Sequence, residues 1–148
     1  MRVPQISVFL ENRKGRLREA CRCLADAGLN LVALSLADTA DFGILRVIVG
    51  DTDKALDVLK RSSFTTARTD VLAVEVADEP GGLARLLKAI EDADLNVEYM
   101  YAFNEKREGK AVLVFRFDDP DKAGEALGKA GVNVLSKIDL FAGAGPGQ

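Results

Sequence analysis

Two short segments of the sequence combine glycines with oxygen-bearing side chains just before a stretch of helical periodicity. They span residues 10–15 and 78–82. Glycine lets the backbone approach a ligand closely, and the unpaired N–H groups at a helix N-terminus suit a carboxylate. The glycines concerned are Gly15, Gly81 and Gly82, and the side chains that can accept from an ammonium group are Asn12, Asn30, Asp78 and Asn96.

Each of these residues also has a purely structural interpretation. Gly15 and Gly81 could be turn glycines, and Asp78 could cap a helix, which is the role we favour for it. Asn30 and Asn96 could be polar residues at the start of a strand. For these two asparagines we favour a binding role, because binding sites concentrate on loops held by a rigid scaffold.

The residue types that are missing exclude many kinds of active site. The sequence has no histidine and no tryptophan, so it cannot supply an imidazole base, a histidine-ligated metal or a Ser-His-Asp triad. No pair of carboxylates has a spacing that implies acid–base catalysis. We therefore expect a protein that is not an enzyme and that carries no metal and no cofactor.

The composition is that of a soluble globular protein. The 148 residues are 48% hydrophobic and 29% charged, enough for a sizeable core. No apolar run approaches the roughly 20 residues of a membrane-spanning helix, and no secretory signal is recognised, so we expect a cytoplasmic protein. The net charge of −3 argues against nucleic acid or a membrane as a partner, because the positive field that attracts them is missing.

An internal repeat organises the chain. A shift of 66 residues superimposes residues 14–31 on residues 80–97, and further along a shift of 68 superimposes residues 53–55 on residues 121–123. The two extra residues of the second copy belong in a turn, and the polar segment 104–110 is the candidate. The identical pairs in the first match are Gly15/Gly81, Leu17/Leu83, Asp26/Asp92, Ala27/Ala93, Leu29/Leu95 and Asn30/Asn96.

The hydrophobic periodicity predicts the same order of elements in both copies. Alternating or β-rich runs predict strands at residues 5–11, 29–36, 44–49 and 64–68 of the first copy and at 72–77, 95–103, 111–117 and 132–135 of the second. Apolar residues at helical spacing predict a helix after each first strand. The two stripes are Leu17, Ala20, Cys21 and Leu24, and Leu83, Leu86, Leu87 and Ile90. A second helix precedes each last strand.

The predicted helices have recognisable ends. Gly28 ends the first helix as a C-terminal cap should, and Asp94 takes that place in the second copy. Asp51 supplies an N-cap for the second helix of the first copy.

Cys21 and Cys23 point about 200° apart on a helix and cannot form a disulfide with each other. We predict two free thiols, with Cys21 on the apolar face and Cys23 facing outward.

The predicted fold class is α+β, with two ferredoxin-like βαββαβ units, each an antiparallel sheet with helices on one face. The first domain spans residues 1–68 and the second spans residues 69–141. The Gly-rich residues 142–148 are expected to form a disordered tail.

The two loops resemble those of the ACT domain family. The sequence LENRKGRL, followed by GLNL, is similar to the serine-binding regulatory domain of phosphoglycerate dehydrogenase, and DEPGGL with DLNV is similar to the commoner form of the family motif. The resemblance covers nearly all of residues 5–141 in two copies, with no catalytic domain attached. The chain therefore resembles a stand-alone tandem ACT protein.

This resemblance implies where a ligand would bind. In that family small ligands, mostly amino acids, bind where two ACT units meet, contacted by the loop after the first strand and by the start of the second strand. The matching positions are Asn12 and Asn30 in the first copy and Asp78 and Asn96 in the second. Leu10 stands where the family can have a histidine, a departure that argues against serine itself as the ligand.

The expected function is a non-enzymatic regulatory protein that binds an amino acid. The alternative is an interaction subunit that docks onto an amino-acid biosynthetic enzyme without binding a ligand itself. Exposed sheet edges tend to pair, so we expect pairing of the two units within the chain or a homodimer.

Overall fold

The computed structural model describes residues 1–38, 41–104 and 107–142. The chain divides into two compact units, residues 4–69 (the N-terminal unit) and residues 70–142 with residues 1–3 (the C-terminal unit). The strands are β1 (Val3–Glu11), β2 (Ala33–Asp38), β3 (Phe42–Ile48), β4 (Thr65–Ala77), β5 (Tyr99–Ala102), β6 (Lys110–Arg116) and β7 (Val134–Leu135). The helices are α1 (Arg16–Asp26), α2 (Thr52–Arg61), α3 (Gly82–Asp92), α4 (Pro120–Lys129) and α5 (Lys137–Ala142).

The N-terminal unit has the predicted βαββαβ order. β3 pairs antiparallel with both β1 and β2, so that Leu45 lies opposite Val8 on one side and Leu36 on the other. Side chains of α1 and α2 pack on one face of these strands, and the core they form is Ile6, Val8, Leu10, Ala20, Leu24, Leu45, Val47, Val49, Ala55, Leu59 and Phe64. Of the apolar stripe predicted for α1, Ala20 and Leu24 are completely buried, whereas Leu17 remains 40% exposed.

The C-terminal unit repeats this arrangement. β4 pairs antiparallel with β6 and β7, and β6 pairs with β5, which gives the strand order β7-β4-β6-β5. The core lies between this sheet and helices α3 and α4, and it consists of Leu72, Val74, Leu86, Ile90, Phe115, Phe117, Ala123, Leu127 and Val134. The predicted fold class is confirmed in both units.

The last strand of the first copy and the first strand of the second copy are one continuous strand. The prediction of two separate strands at residues 64–68 and 72–77 is wrong, because β4 runs from Thr65 to Ala77. Residues 65–77 contain neither glycine nor proline, the residues that most often end a strand.

Two of the helix predictions are corrected. The N-cap of α3 is Gly81, at φ 85°, and no side chain caps this helix, so the capping role favoured for Asp78 is not observed. Cys23 does not face outward. It is half-buried, its Sγ lies 3.3 Å from the Val58 carbonyl oxygen, and both cysteines are free thiols.

The other predicted helix ends are confirmed. Gly28 and Asp94 both adopt a left-handed backbone after their helices, at φ 75° and 56°. The Asp51 side chain accepts a hydrogen bond from the Lys54 N–H at 3.0 Å and caps α2.

Both ends of the described chain belong to the C-terminal unit. Arg2 hydrogen-bonds through Nε to Asp121 Oδ1 at 2.8 Å and forms an ion pair with Asp70 at 3.0 Å. The helix α5 was not predicted, although Ser136 and Asp139 have the spacing of a capping box. The predicted tail begins at Ala142, the last residue of α5, and its residues 143–148 lie outside the described residues.

Within the part of the chain that the structure describes, no helix is long and apolar enough to cross a membrane.

Candidate functional site

The first glycine-containing loop begins at the buried end of β1. Leu10 is 4% exposed and lies opposite Gly43 of β3. The next residues turn outward, where the Asn12 N–H donates to the Asp41 carbonyl at 3.3 Å. Gly15 then adopts φ 89° as the N-cap of α1, a conformation that L side chains rarely adopt. No side chain caps α1, so its first N–H groups keep the partial positive charge of a helix N-terminus.

A cavity of about 120 Å³ opens beside this loop. We call it the loop cavity. It is lined by Leu10, Glu11, Asn12, Arg13, Leu17, Leu36, Ala37, Asp38 and Gly43. Its apolar wall comes from β1, α1 and β2, which lie close together because β3 pairs with both strands.

The loop cavity carries charges of both signs. Glu11 is held by Arg13, whose Nε lies 3.0 Å from its carboxylate, and by Arg16 at 3.9 Å. Asp38, the exposed last residue of β2, adds a second carboxylate to the lining. A carboxylate, an ammonium group and a short apolar side chain could each find a matching surface here.

The structure brings together only some of the residues singled out in the first copy. Leu10 and Asn12 line the loop cavity, whereas Gly15 and Asn30 do not. Asn30 is exposed between α1 and β2, beyond the turn at Gly28. Asp38 was not predicted as a site residue, because it lies two residues beyond the strand predicted at residues 29–36.

The corresponding loop in the C-terminal unit is arranged differently. The Asp78 N–H donates to the Gly109 carbonyl at 2.9 Å, and Gly81 precedes α3. Gly82 is packed tightly, because a Cβ built on it would lie 2.1 Å from the Ala77 carbonyl oxygen. Asn96 is exposed, as is its counterpart Asn30.

A larger cavity of about 360 Å³ lies on the other flank of this second loop. We call it the α3 groove, because it runs along α3, the end of β4 and residues 130–133. Gly82 lines it, but Asp78, Gly81 and Asn96 do not. Its polar residues are Glu75, Arg85, Lys110 and Asn133, none of which was predicted as a site residue.

Neither cavity is lined by a cysteine. Burial raises the pKa of the Cys21 thiol, and a raised pKa disfavours the reactive thiolate. Over residues 1–38, 41–104 and 107–142, histidine, cysteine and acidic side chains form no group of three or more that could hold a metal ion.

Comparison with known proteins identifies similar chains. A family model described as an ACT domain pair matches residues 1–142. A solved protein from Bacteroides thetaiotaomicron is 41% identical with a TM-score of 0.88, and the match covers 95% of this chain and 96% of that chain.

More distant similarities concern the fold alone. The regulatory subunit of aspartate kinase from Thermus thermophilus, in a ligand-free form, is 16% identical with a TM-score of 0.61, over 86% of this chain and 91% of that chain. Aspartokinase III from E. coli, in complex with lysine and aspartate, is 12% identical with a TM-score of 0.53, over 87% of this chain and 31% of that chain. Among curated proteins, none matches this sequence.

Proposed function

Since this chain belongs to the ACT domain pair family, we propose that it is a regulatory protein that binds an amino acid and catalyses no reaction. The observation that carries this proposal is the loop cavity, where Asn12 lies beside charges of both signs. Its expected compartment is the cytoplasm.

The charges of the loop cavity suit the two ends of an amino acid. Arg13 is 53% exposed and can turn from Glu11 to a ligand carboxylate, a pairing that charge-assisted hydrogen bonds favour. Asp38 and the Asn12 side-chain oxygen can accept from the ligand ammonium group.

The size of the loop cavity restricts the ligand. The volume of about 120 Å³ lies well below the roughly 300–1,000 Å³ of typical ligand pockets. We therefore propose a small amino acid with a short side chain, which would contact Leu10, Leu17 and Leu36.

A thermal-shift screen of the full chain against the twenty amino acids tests this function. A ligand that binds only the folded state raises the unfolding free energy by roughly 2.7 kcal/mol at 100 times its dissociation constant. We expect a shift with one or a few small amino acids, and we expect Asn12→Ala and Asp38→Asn to abolish it. Asn30→Ala tests whether Asn30, which matches a ligand-contacting position of the family, also takes part in binding, although it does not line the loop cavity.

Asp26→Asn is the matched control, because Asp26 is an exposed carboxylate of α1 that pairs with Arg22 at 3.7 Å, away from the loop cavity. A shift that survives in Asn12→Ala and Asp38→Asn, or that Asp26→Asn removes equally, would contradict the proposed site. No shift with any amino acid would contradict the proposed function.

A second candidate function is the interaction subunit that docks onto an amino-acid biosynthetic enzyme. The observation in its favour is the pair Leu34 and Leu36 on one face of β2, which are 44% and 52% exposed, since neighbouring exposed apolar side chains mark interaction sites. Recovery of such an enzyme with the wild-type chain, lost in Leu34→Ser/Leu36→Ser, would favour this candidate.

A further inference from the structure

Three charged side chains beside the loop cavity form a cluster that the second copy lacks. Glu11 ends β1, Arg13 lies on the loop, and Arg16 is the first residue of α1. We call these three residues the loop triad. The matching positions of the second copy, 66 residues further along the chain, hold Ala77, Glu79 and Gly82.

The backbone of the loop forms without these charges. In the first copy the Arg13 N–H donates to the Glu11 carbonyl at 2.8 Å, and the Arg16 N–H donates to the Arg13 carbonyl at 3.3 Å. In the second copy the N–H groups of residues 79 and 82 make the same two hydrogen bonds, at 2.9 and 3.0 Å. The loop triad is therefore not required to shape the turn.

The Glu11 carboxylate is shared unequally between the two arginines. Its Oε2 accepts a hydrogen bond from Arg13 Nε at 3.0 Å, whereas its Oε1 lies 3.9 Å from Arg16 Nε. The longer distance is an ion pair without a hydrogen bond. Arg16 Nε is buried and has no hydrogen-bond partner among the described residues. Because a buried N–H group without a partner is unfavourable, this nitrogen can gain an acceptor.

Arg16 is the fixed member of the loop triad. Its guanidinium lies over the Phe64 ring, 4.1 Å from the ring centroid, and its Nη1 donates to Glu19 at 2.8 Å. The Arg16 side chain is only 14% exposed, whereas those of Glu11 and Arg13 are 67% and 53% exposed. A change of partners would therefore move Glu11 and Arg13 rather than Arg16.

We propose that Glu11 is a switch, which exchanges Arg13 for Arg16 when Arg13 binds a carboxylate in the loop cavity. Arg13 turns to the ligand, and Glu11 then accepts a hydrogen bond from Arg16 Nε. This bond joins the end of β1 to the first turn of α1 and closes the loop that carries Asn12. The use of the switch by a ligand rests on the proposed function, whereas the exchange of partners does not.

The exchange leaves every charge of the loop triad with a partner. Arg13 has the ligand carboxylate, Glu11 has Arg16, and the buried Arg16 Nε–H gains the acceptor that it lacks in the absence of ligand. Arg16 does not line the loop cavity, so it acts as a positioning residue. Ligand affinity should nevertheless depend on it.

Arg13→Gln tests the exchange without any ligand, because it leaves Glu11 without its hydrogen-bonded partner. NMR of the isotope-labelled full chain follows the Arg16 Nε–H signal. We expect this signal to shift downfield and to exchange with solvent about fivefold more slowly, the effect of one added hydrogen bond. Adding Glu11→Ala to Arg13→Gln should remove both changes.

Arg18→Gln is the matched control, because Arg18 is an exposed arginine of α1 outside the loop triad. It should leave the Arg16 Nε–H signal unchanged. The same signal in Arg13→Gln as in the wild type, or an equal change in Arg18→Gln, would overturn the exchange.

Titration of the wild type with glycine and with L-alanine tests the use of the switch by a ligand. The Arg16 Nε–H signal should move as it does in Arg13→Gln, together with the amide signals of Asn12 and Ala37, which line the loop cavity. Arg16→Lys keeps the charge but has no N–H group at the position of Nε. It should bind both amino acids about fivefold more weakly, while the near-ultraviolet spectrum reports whether the fold is kept.

The outcomes separate the switch from the proposed function. Amide shifts at Asn12 and Ala37 without a change of the Arg16 Nε–H signal, or unchanged affinity in Arg16→Lys, would overturn the switch. No shift at Asn12 or Ala37 up to about 10 mM of either amino acid, ten times a millimolar dissociation constant, would overturn the small-amino-acid site and its use of the switch. Arg13→Gln decides the exchange of partners in either case, so the two failures are distinguishable.

Discussion

At the scale of single residues, two neighbouring glycines before and at the start of α3 have different roles. Gly15 and Gly81 both adopt a positive φ before a helix, and a Cβ on Gly15 would meet nothing within 4 Å. Gly82 instead lies against the Ala77 carbonyl, so it is needed for close packing. Gly82 also lines the α3 groove, and the first copy has Arg16 at the matching position.

Gly82→Ala should therefore destabilise the protein. A Cβ at 2.1 Å from the Ala77 carbonyl oxygen forces α3 and β4 apart, and overpacking of this kind costs about 1–3 kcal/mol. Urea denaturation followed by circular dichroism measures the change.

Gly128→Ala is the control for this substitution. Gly128 lies inside α4, where a Cβ would meet nothing within 4 Å, so alanine should be neutral or stabilise the protein by about 0.5–1 kcal/mol. Equal effects of the two substitutions would disprove the packing role of Gly82.

At the scale of elements, the helix α5 owes its start to a reciprocal cap. The Ser136 N–H and hydroxyl both donate to Asp139 Oδ2, at 2.9 and 2.8 Å, and the Asp139 N–H donates back to the Ser136 oxygen at 3.1 Å. The hydrogen bonds from Ser136, the backbone one first, lower the pKa of the Asp139 carboxyl below its ordinary value. Arg107 then donates to the Asp139 and Leu140 carbonyls, which ties the short helix to the segment before β6.

Ser136→Ala should loosen α5 without unfolding the C-terminal unit. Loss of a serine cap costs about 1 kcal/mol, which corresponds to roughly fivefold faster hydrogen exchange of the protected amides in the helix. The amide of Leu140, which donates to the Ser136 carbonyl at 3.0 Å, is the reporter. Exchange in α4 should not change, and equal acceleration there would refute a local effect.

At the scale of the whole molecule, the first three residues belong to the C-terminal unit rather than to the unit that follows them in sequence. Arg2 contacts that unit through ion pairs with both Asp70 and Asp121. The hydrogen bond from Arg2 lowers the pKa of the Asp121 carboxyl. Both partners are solvent-exposed, so the contribution of the pair to stability is reduced by solvent screening.

Arg2→Gln should lower the stability of the protein at neutral pH but not in acid. A carboxyl whose pKa is lower in the folded state stabilises that state above its unfolded pKa of about 3.9, and the effect is lost as the pH falls through the folded value. The difference in unfolding free energy between wild type and Arg2→Gln should therefore be constant above about pH 5 and shrink below about pH 4. Denaturation at several pH values measures it.

The control for this pH dependence is Arg22→Gln, which removes an exposed arginine 3.7 Å from Asp26 on the same helix. It should change the stability less than Arg2→Gln does at neutral pH, since exposed pairs within one helix contribute little. A difference for Arg2→Gln that persists unchanged in acid would rule out a role for the Asp121 charge.

The sequence by itself determined the two copies, their βαββαβ order and most helix ends, because these follow from local periodicity and from single residues such as Gly28, Asp51 and Asp94. It could also place Asn12 on a loop beside a buried Leu10. Only the tertiary structure decided that β4 is one strand, and which side chains share a cavity. Asn12 lines the same cavity as Asp38, and Glu75 accepts a hydrogen bond from Asn133, across 26 and 58 residues of chain. A cavity forms where distant elements meet, and periodicity within one element carries no information about the neighbour it will face.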